Sequence, residues 1–122
     1  MGLRIVVADD NRDATDSLSM LLEMSGHEVH RAYDGATALE LCRQARAQVA
    51  LLDLGMPRMN GYAIARLLGG CREQNTLLIA ITGFGREADR VRARDAGFAY
   101  YFVKPIQYGE LETLLGTLPQ GL

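Results

Sequence analysis

The sequence predicts an α/β fold in which helices cover both faces of a five-stranded parallel sheet. Three apolar runs, at 3–8, 49–54 and 77–82, are nearly continuous in Leu, Ile, Val and Ala. Such runs are typical of strands that are buried on both faces of a parallel sheet. Amphipathic stretches separate the runs, which indicates right-handed strand–helix–strand connections with helices on both sides of the sheet.

Five strand–helix units follow one another along the chain. Strands are predicted at 3–8, 27–32, 49–54, 77–82 and 100–103, and helices at about 13–25, 36–47, 61–71, 86–96 and 108–116. Gly26 and Gly97 mark helix ends, where glycine is favoured, and the turn Asp34-Gly35 opens the second helix. Gly69-Gly70 is expected to weaken the end of the third. Since no linker interrupts the pattern, residues 1–122 are expected to form one domain.

Composition excludes several classes of protein. Hydrophobic residues make up 48%, charged residues 23%, and the net charge is −2, so no general attraction to nucleic acid or to an anionic membrane is expected. The chain has no apolar run near the roughly 18 residues of a membrane span, and its first residues lack a signal-peptide pattern. Cys42 and Cys71 match no metal spacing and are too few for a disulfide framework. We therefore expect a cytoplasmic protein, with Cys42 in the core, no function for Cys71, and structural roles for His27 and His30.

Polar side chains lie at the carboxyl ends of four of the five predicted strands. Asp9 and Asp10 are at the end of the first strand, Asp53 of the third, Thr82 of the fourth and Lys104 of the fifth. An Asp after a strand is more often a helix cap or a turn residue, so each position alone is weak support for a site. In parallel α/β sheets, however, ligands bind outside the carboxyl ends of the strands. Together, these residues predict one polar site at that edge of the sheet.

The residue types at these strand ends suit phosphoryl transfer. Three carboxylates in one cleft repel one another and resist ionisation, and a hard cation such as Mg²⁺, which prefers oxygen ligands, relieves that repulsion. A carboxylate can also act as the nucleophile that accepts a phosphoryl group. The transferred group then needs its oxygens neutralised, and the cation, the Thr82 hydroxyl and the Lys104 ammonium offer this. Lys104 is the lone lysine among 13 basic residues, as expected where a compact charge on a flexible stem is required.

These motifs resemble the receiver domain of two-component response regulators, a chemotaxis-type phosphorylation switch. The matching segments are VVADDN, LLDLGMPRMNGY, IAITG and VKP, in the family's order and spacing, and the similarity covers essentially the whole chain. The phrases ITGFGREADR and DAGFAYYFVKP are similar to receivers attached to hybrid sensor kinases. The resemblance implies a doubly wound, flavodoxin-like (βα)₅ fold with strand order 2-1-3-4-5.

The resemblance also implies the roles of the acidic residues. Asp53 would accept the phosphoryl group. Asp9, Asp10 and Asp53, with the backbone carbonyl of Gly55, would hold Mg²⁺. Gly55 and Phe84 flank the expected route of a hydrolytic water, and neither offers a polar side chain to orient it. We therefore expect the aspartyl phosphate to decay no faster than in relatives with polar residues at these positions.

The remaining site residues follow from the same resemblance. Thr82 and Lys104 would each contact a phosphoryl oxygen, and the Lys104–Pro105 peptide is expected to be cis, which X-Pro bonds permit at about 0.5–1 kcal/mol. Tyr101 occupies the position of the family's switch aromatic residue, which turns inward when the Thr moves to the phosphoryl group. Tyr100 would point to the opposite face of the strand, because side chains alternate along it.

The resemblance implies a signalling role rather than an enzyme that converts an external substrate. A phosphohistidine on a histidine kinase or a histidine phosphotransfer domain would donate to Asp53, and a downstream protein would bind the face formed by helix 4, strand 5 and helix 5. Arg86, Arg90 and Arg94 form a basic stripe on helix 4, which is interpreted as part of that docking face or as a solvated surface. No direct contact with nucleic acid or membrane is expected.

Two other classes of function remain as alternatives. An aspartate-nucleophile phosphohydrolase has a similar sheet, but it needs a second Asp two residues after the nucleophile, where this chain has Gly55. A scaffold that has lost phosphorylation is the other alternative. The complete set of acidic pair, nucleophile, hydroxyl and lysine argues against such a loss.

Overall fold

The computed structural model describes residues 2–69, 75–83 and 85–118. Its five strands are all parallel and lie in the order β2-β1-β3-β4-β5, which confirms the predicted α/β class and strand order. The elements are β1 (Arg4–Ala8), α1 (Arg12–Met24), β2 (Glu28–Ala32), α2 (Gly35–Gln44), β3 (Val49–Asp53), α3 (Gly61–Gly69), β4 (Leu77–Thr82), α4 (Glu87–Ala96), β5 (Tyr100–Val103) and α5 (Tyr108–Gly116).

The element boundaries lie close to the predicted ones, and the differences have local causes. The helix α1 begins one residue earlier than predicted, because the Asn11 side chain caps it by accepting a hydrogen bond from the Ala14 N–H. The helix α2 ends at Gln44 instead of 47, since Arg46 has φ +50° and so cannot continue a right-handed helix. Gly97, with φ +111°, ends α4 as predicted. Gly70 and Cys71, at the predicted end of the third helix, lie outside the described residues.

The core forms two layers, one on each face of the sheet. Alternate strand residues face each layer, as the twofold period of a strand requires. One layer contains Val6, Ala8, Ala50, Leu52, Leu78 and Ala80 with residues of α2, α3 and α4; the other contains Ile5, Val7, Val49, Leu51, Ile79 and Ile81 with residues of α1 and α5. Burial on both faces is therefore the reason that β1, β3 and β4 read as continuous apolar runs. Among the described residues, no helix is both long and apolar enough to cross a membrane.

The residues for which the sequence suggests only structural roles are placed accordingly. Cys42 is buried in the core, and this burial raises the pKa of its thiol to about 12. His30 Nε2 lies 2.8 Å from Glu28 Oε2. The Leu3 N–H donates to His27 Nδ1 over 3.0 Å, so His27 joins the start of β1 to the turn before β2.

The Leu3–His27 hydrogen bond predicts a loss of stability at mildly acidic pH. Burial lowers the pKa of His27 below 6.5, although Glu112 opposes this effect. The unfolded chain therefore takes up a proton at this position before the folded chain does. Consequently, the contribution of His27 to stability is present above about pH 6.5 and is lost as the pH falls through the lowered folded pKa. Urea unfolding at pH 7.5 and 5.5 measures this difference.

A matched variant isolates the contribution of His27. His27→Asn keeps an acceptor oxygen for the Leu3 N–H but cannot be protonated in this range. Its unfolding free energy should change less between the two pH values than that of the wild type. Equal changes in both proteins would contradict the assignment.

Candidate phosphoacceptor site

The strand-end residues meet at the carboxyl edge of the sheet. Asp53 is the last residue of β3 and pairs with Ile81 of β4. Thr82, the last residue of β4, directly follows Ile81. Asp9 follows β1 directly, and Lys104 follows β5. Asp9, Asp53 and Thr82 are polar but are only 4–6% exposed, which is uncommon for side chains of these types. The sheet therefore brings the predicted residues together and removes most of them from water.

Three carboxylates form an acidic cluster at this edge. Oxygens of Asp9, Asp10 and Asp53 all lie within 4.8 Å of one another; Asp10 is exposed and the other two are buried. The cluster is thus open to solvent on the Asp10 side. Its all-oxygen donor set and its concentrated negative charge suit a hard divalent cation such as Mg²⁺.

Lys104 is the cation that faces this cluster. Its Nζ lies 2.8 Å from Asp9 Oδ2 and 3.5 Å from Asp53 Oδ2. The Lys104 N–H donates to the Thr82 carbonyl over 2.7 Å, so the backbone of β4 helps to aim the lysine. The Lys104–Pro105 peptide is cis, as the resemblance implied. Lys104 thus forms ion pairs with both buried carboxylates while its side chain remains 35% exposed.

The two buried carboxyl groups have pKa values shifted in opposite directions. Burial tends to raise the pKa of Asp9, but the Lys104 ammonium and the Asn11 N–H outweigh it and lower the pKa. Burial raises the pKa of Asp53; the Asp9 charge adds to this, and the Gly55 N–H and Lys104 only partly oppose it. Asp9 is therefore the better stabilised anion, and Asp53 is the carboxylate whose charge is least well compensated.

Backbone groups fix the orientation of both carboxylates. The Asn11 N–H donates to Asp9 Oδ1 and the Gly55 N–H donates to Asp53 Oδ1, each over 3.0 Å. Thr15 Oγ1 donates to the Asp9 carbonyl over 2.8 Å, which ties α1 to the end of β1. A β-carbon at Gly55 would lie 3.6 Å from Asp53 Oδ1, so any larger side chain there would border the site. The contribution of the Gly55 carbonyl to a metal site stays a prediction, and Phe84 lies outside the described residues.

Thr82 and Tyr101 connect the site to the α4 side of the molecule. Burial and the Asp89 charge raise the pKa of Tyr101, while a side-chain hydrogen bond with Thr82 lowers it. The Tyr101 ring is half-buried and packs on the core layer that includes residues of α4. Tyr100, on the opposite face of β5, is 42% exposed. The Thr82 hydroxyl therefore has Tyr101 as a partner in this structure.

Two arginines of α4 contact tyrosines in a way that the sequence did not predict. The Arg90 guanidinium carbon lies 5.0 Å from the centroid of the Tyr101 ring, and that of Arg92 lies 3.9 Å from the centroid of Tyr62. Sequence spacing grouped Arg90 with Arg86 and Arg94 instead, because helical periodicity gives no information about contacts with another element. Arg94 lies 3.8 Å from the neighbouring Asp95. Arg90 therefore differs from Arg94 in its surroundings, although both belong to the predicted stripe.

An apolar groove opens beside the acidic cluster. It has a volume of about 480 Å³ and runs between α1 and the segment that joins β5 to α5. Leu18 and Leu21 of α1 line one side, Ile106 and Tyr108 line the other, and Asp9 and Lys104 border it as well. A partner bound in this groove would touch the polar site directly.

Comparisons with known proteins agree with the geometry. The family model described as the response regulator receiver domain matches residues 5–116. The response regulator MprA of Mycobacterium tuberculosis is 35% identical over 111 residues, which are 91% of this chain and 48% of MprA. The protein PilH of Pseudomonas aeruginosa is 34% identical over 116 residues, which are 94% of this chain and 93% of PilH. The chain thus spans about half the length of MprA.

Solved structures show the same fold. The receiver domain of the response regulator NarL from Mycobacterium tuberculosis is 31% identical, with a TM-score of 0.84 and 94% of each chain covered. The chemotaxis protein CheY4 of Vibrio cholerae is 26% identical, with a TM-score of 0.87, and the match covers 97% of this chain and 100% of CheY4. In both cases the likeness extends over nearly the whole chain.

Proposed function

Because the chain belongs to the response regulator receiver domain family of two-component signalling, we propose that Asp53 is its phosphoacceptor. The observation that carries this assignment is the position of Asp53, a buried carboxylate that shares one cluster with Asp9, Asp10 and the Lys104 ammonium. Burial raises the pKa of Asp53, and the carboxylate is therefore a better nucleophile than an ordinary surface aspartate.

The proposed donor is a phosphohistidine on a histidine kinase or a histidine phosphotransfer domain. An Asp53 oxygen forms a bond to phosphorus, the phosphorus–nitrogen bond of the donor breaks, and its electron pair leaves with the imidazole. Lys104 neutralises a phosphoryl oxygen from a position 3.5 Å from Asp53 Oδ2. Thr82 donates to another phosphoryl oxygen once its hydroxyl has left Tyr101. Residues 1–122 thereby act as one phosphorylated switch domain.

The acidic cluster is the proposed Mg²⁺ site. Asp9, Asp10 and Asp53 would hold the ion, with the Gly55 carbonyl as a further ligand. When bound, Mg²⁺ would supply positive charge opposite the transferred phosphoryl group. The mutual repulsion of the three carboxylates within 4.8 Å supports a cation at this position.

The surfaces on both sides of the site support two partner faces. The apolar groove suits a phosphate-donating partner, because Asp9 and Lys104, which border it, lie in one cluster with Asp53. On the other side, the exposed Val91 of α4 and Tyr100 of β5 border one surface depression together with Arg94. This apolar surface with a basic edge is the proposed contact for the downstream protein. From the composition, we still expect that the protein does not bind nucleic acid directly and that it is cytoplasmic.

A phosphohydrolase is less well supported by the same site. Gly55 has no side chain to act as a general acid two residues after Asp53. The protein therefore retains the phosphoryl group and turns over no external phosphomonoester in this proposal.

The test is to measure phosphate incorporation from acetyl phosphate in the presence of Mg²⁺. The wild type should incorporate phosphate, and Asp53→Asn should incorporate none, because the amide is not a nucleophile for this reaction. Omission of Mg²⁺ should also abolish incorporation. Absence of Mg²⁺-dependent incorporation into the wild type would overturn the proposal.

A stability measurement shows whether Asp53→Asn remains folded. The folded state raises the pKa of Asp53, so the charged carboxylate destabilises the fold at pH values above about 4. Asp53→Asn removes this charge and should raise the melting temperature in Mg²⁺-free buffer. Addition of Mg²⁺ should stabilise the wild type more than the variant, because one ligand is lost. A variant that is inactive and less stable would instead indicate a folding defect.

A further inference from the structure

The helix α4 is held to the rest of the protein by few apolar contacts. All ten of its residues are described, and Ala93 is the one that is buried. Val91 and the arginines are exposed on their outer sides. Elements with little apolar burial open more readily than core elements. The polar and aromatic contacts of α4 therefore contribute a larger share of the interactions that hold this helix in place.

Two arginine–tyrosine stacks add to the core contacts of Ala93 and Ala96. Arg92 lies 3.9 Å from the ring centroid of Tyr62 in α3, and Tyr62 in turn packs edge-on against Phe98 with 6.4 Å between ring centroids. This contact joins α4 to elements of the core. Arg90 lies 5.0 Å from the centroid of Tyr101 in β5. A guanidinium over an aromatic face is attracted by the electron-rich ring, so the second stack joins α4 to the side chain that contacts Thr82.

Tyr101 thus has two contacts that oppose its movement. Its hydroxyl shares a hydrogen bond with Thr82, and Arg90 lies over its ring. In the proposed function, Thr82 leaves Tyr101 to contact the phosphoryl group. The hydrogen bond is then lost in the reaction itself, whereas the Arg90 stack continues to favour the resting orientation of Tyr101.

From this arrangement we propose that Arg90 is a positioning residue that holds Tyr101, and through it Thr82, in the resting arrangement. The reaction at Asp53 must therefore displace the Arg90 stack before Tyr101 can move, and α4 then loses its stack on β5. Because the stack favours the resting state, its removal shifts the equilibrium toward the state that binds the phosphoryl group. This inference rests on the proposed function of Asp53.

Beryllofluoride with Mg²⁺, a stable mimic of the phosphoryl group, measures this equilibrium without chemistry. Arg90→Ala should bind beryllofluoride about two- to fivefold more tightly than the wild type, the effect expected of one exposed guanidinium–ring contact. Arg94→Ala removes the same charge from the same helix, and Arg94 has no ring contact among the described residues, so this variant should bind beryllofluoride like the wild type. In a Tyr101→Leu background, Arg90→Ala should have no effect. Arg90→Lys should lie between wild type and Arg90→Ala, since an ammonium lacks the planar face.

Amide hydrogen exchange of the unliganded protein gives an independent measurement. Exchange across α4 should be faster in Arg90→Ala and unchanged in Arg94→Ala. Equal effects of the two variants on affinity or exchange, or an Arg90→Ala effect that persists without Tyr101, would overturn the positioning role. If the wild type fails to bind beryllofluoride, the proposed function itself is wrong and the switch role of Arg90 falls with it, whatever the exchange data show.

Discussion

Lys104→Met is expected to slow Mg²⁺-dependent phosphorylation of Asp53 by roughly 100-fold or more, the typical effect of removing one charge-stabilising group from a reaction centre. Methionine keeps the length and much of the volume of the lysine stem but provides no charge. In the wild type the Lys104 Nζ is 3.5 Å from Asp53 Oδ2, on the side where a transferred phosphoryl group gains its negative charge. The measurement is the initial rate of phosphate incorporation from acetyl phosphate at saturating Mg²⁺.

The affinity for Mg²⁺ separates this effect from misfolding. Lys104 also lies 2.8 Å from Asp9 Oδ2, where it competes with a cation for the same carboxylate. Lys104→Met should therefore bind Mg²⁺ more tightly than the wild type while it is phosphorylated more slowly. A misfolded variant would lose both properties, and a variant phosphorylated at the wild-type rate would contradict the role of Lys104.

Lys104→Arg tests whether charge alone is sufficient. The side chain reaches two buried carboxylates from a position that is only 35% exposed. A planar guanidinium with five donors cannot replace a compact ammonium in that space without moving the carboxylates. We expect slower phosphorylation than in the wild type, despite the unchanged charge. A Lys104→Arg variant that is phosphorylated at the wild-type rate would show that the positive charge is sufficient and that the shape of the lysine side chain is not required.

The α/β class of the fold could be predicted from local patterns, whereas the strand order was implied by the family resemblance. Strands β1, β3 and β4 are buried on both faces, and such burial leaves continuous apolar runs of the kind seen at 49–52. The parallel arrangement places every strand end at one edge of the sheet, and because β1, β3 and β4 are neighbours, Asp9, Asp53 and Thr82 converge there. The C-terminal end of α2 and the start of α1 differed from prediction. The positive φ of Arg46 and the cap at Asn11 set these boundaries, and the hydrophobic pattern carries no information about either.

Contacts between distant elements were not predictable in the same way. Helical spacing grouped Arg90 with Arg94, but the distance from Arg90 to the Tyr101 ring depends on how α4 is seated against β5. Similarly, the sequence indicated that Lys104 faces the acidic cluster, but the shorter distance to Asp9 than to Asp53 depends on how the chain leaves β5. Such contacts leave no periodic pattern in the sequence, because each of the two residues alone is compatible with many different packing arrangements of its helix or strand.

Gly35→Ala is expected to destabilise the protein by about 2–3 kcal/mol, the upper part of the range found for overpacked positions, and to lower its melting temperature by roughly 10 °C. A β-carbon at Gly35 would lie 1.9 Å from the carbonyl oxygen of Met59 and 2.8 Å from its β-carbon. The first of these contacts is with backbone, so no side-chain rotation can relieve it. The start of α2 and the loop between β3 and α3 would have to separate. Because that loop directly follows Asp53 and includes Gly55, weaker Mg²⁺ binding should accompany the loss of stability.

Gly109→Ala is the matched control for this substitution. A β-carbon at Gly109 meets no atom within 4 Å, and the residue is exposed in the first turn of α5. The added methyl group restricts the unfolded chain without a clash, so stability should be unchanged or higher by up to about 1 kcal/mol. Urea unfolding of both variants gives the comparison. If Gly35→Ala is as stable as Gly109→Ala, the start of α2 does not pack closely against the Met59 carbonyl. The loop between β3 and α3 is then not supported by the start of α2. If the destabilisation is confirmed, the position of Gly55 beside Asp53 depends on a residue 18 positions before Asp53 in the sequence.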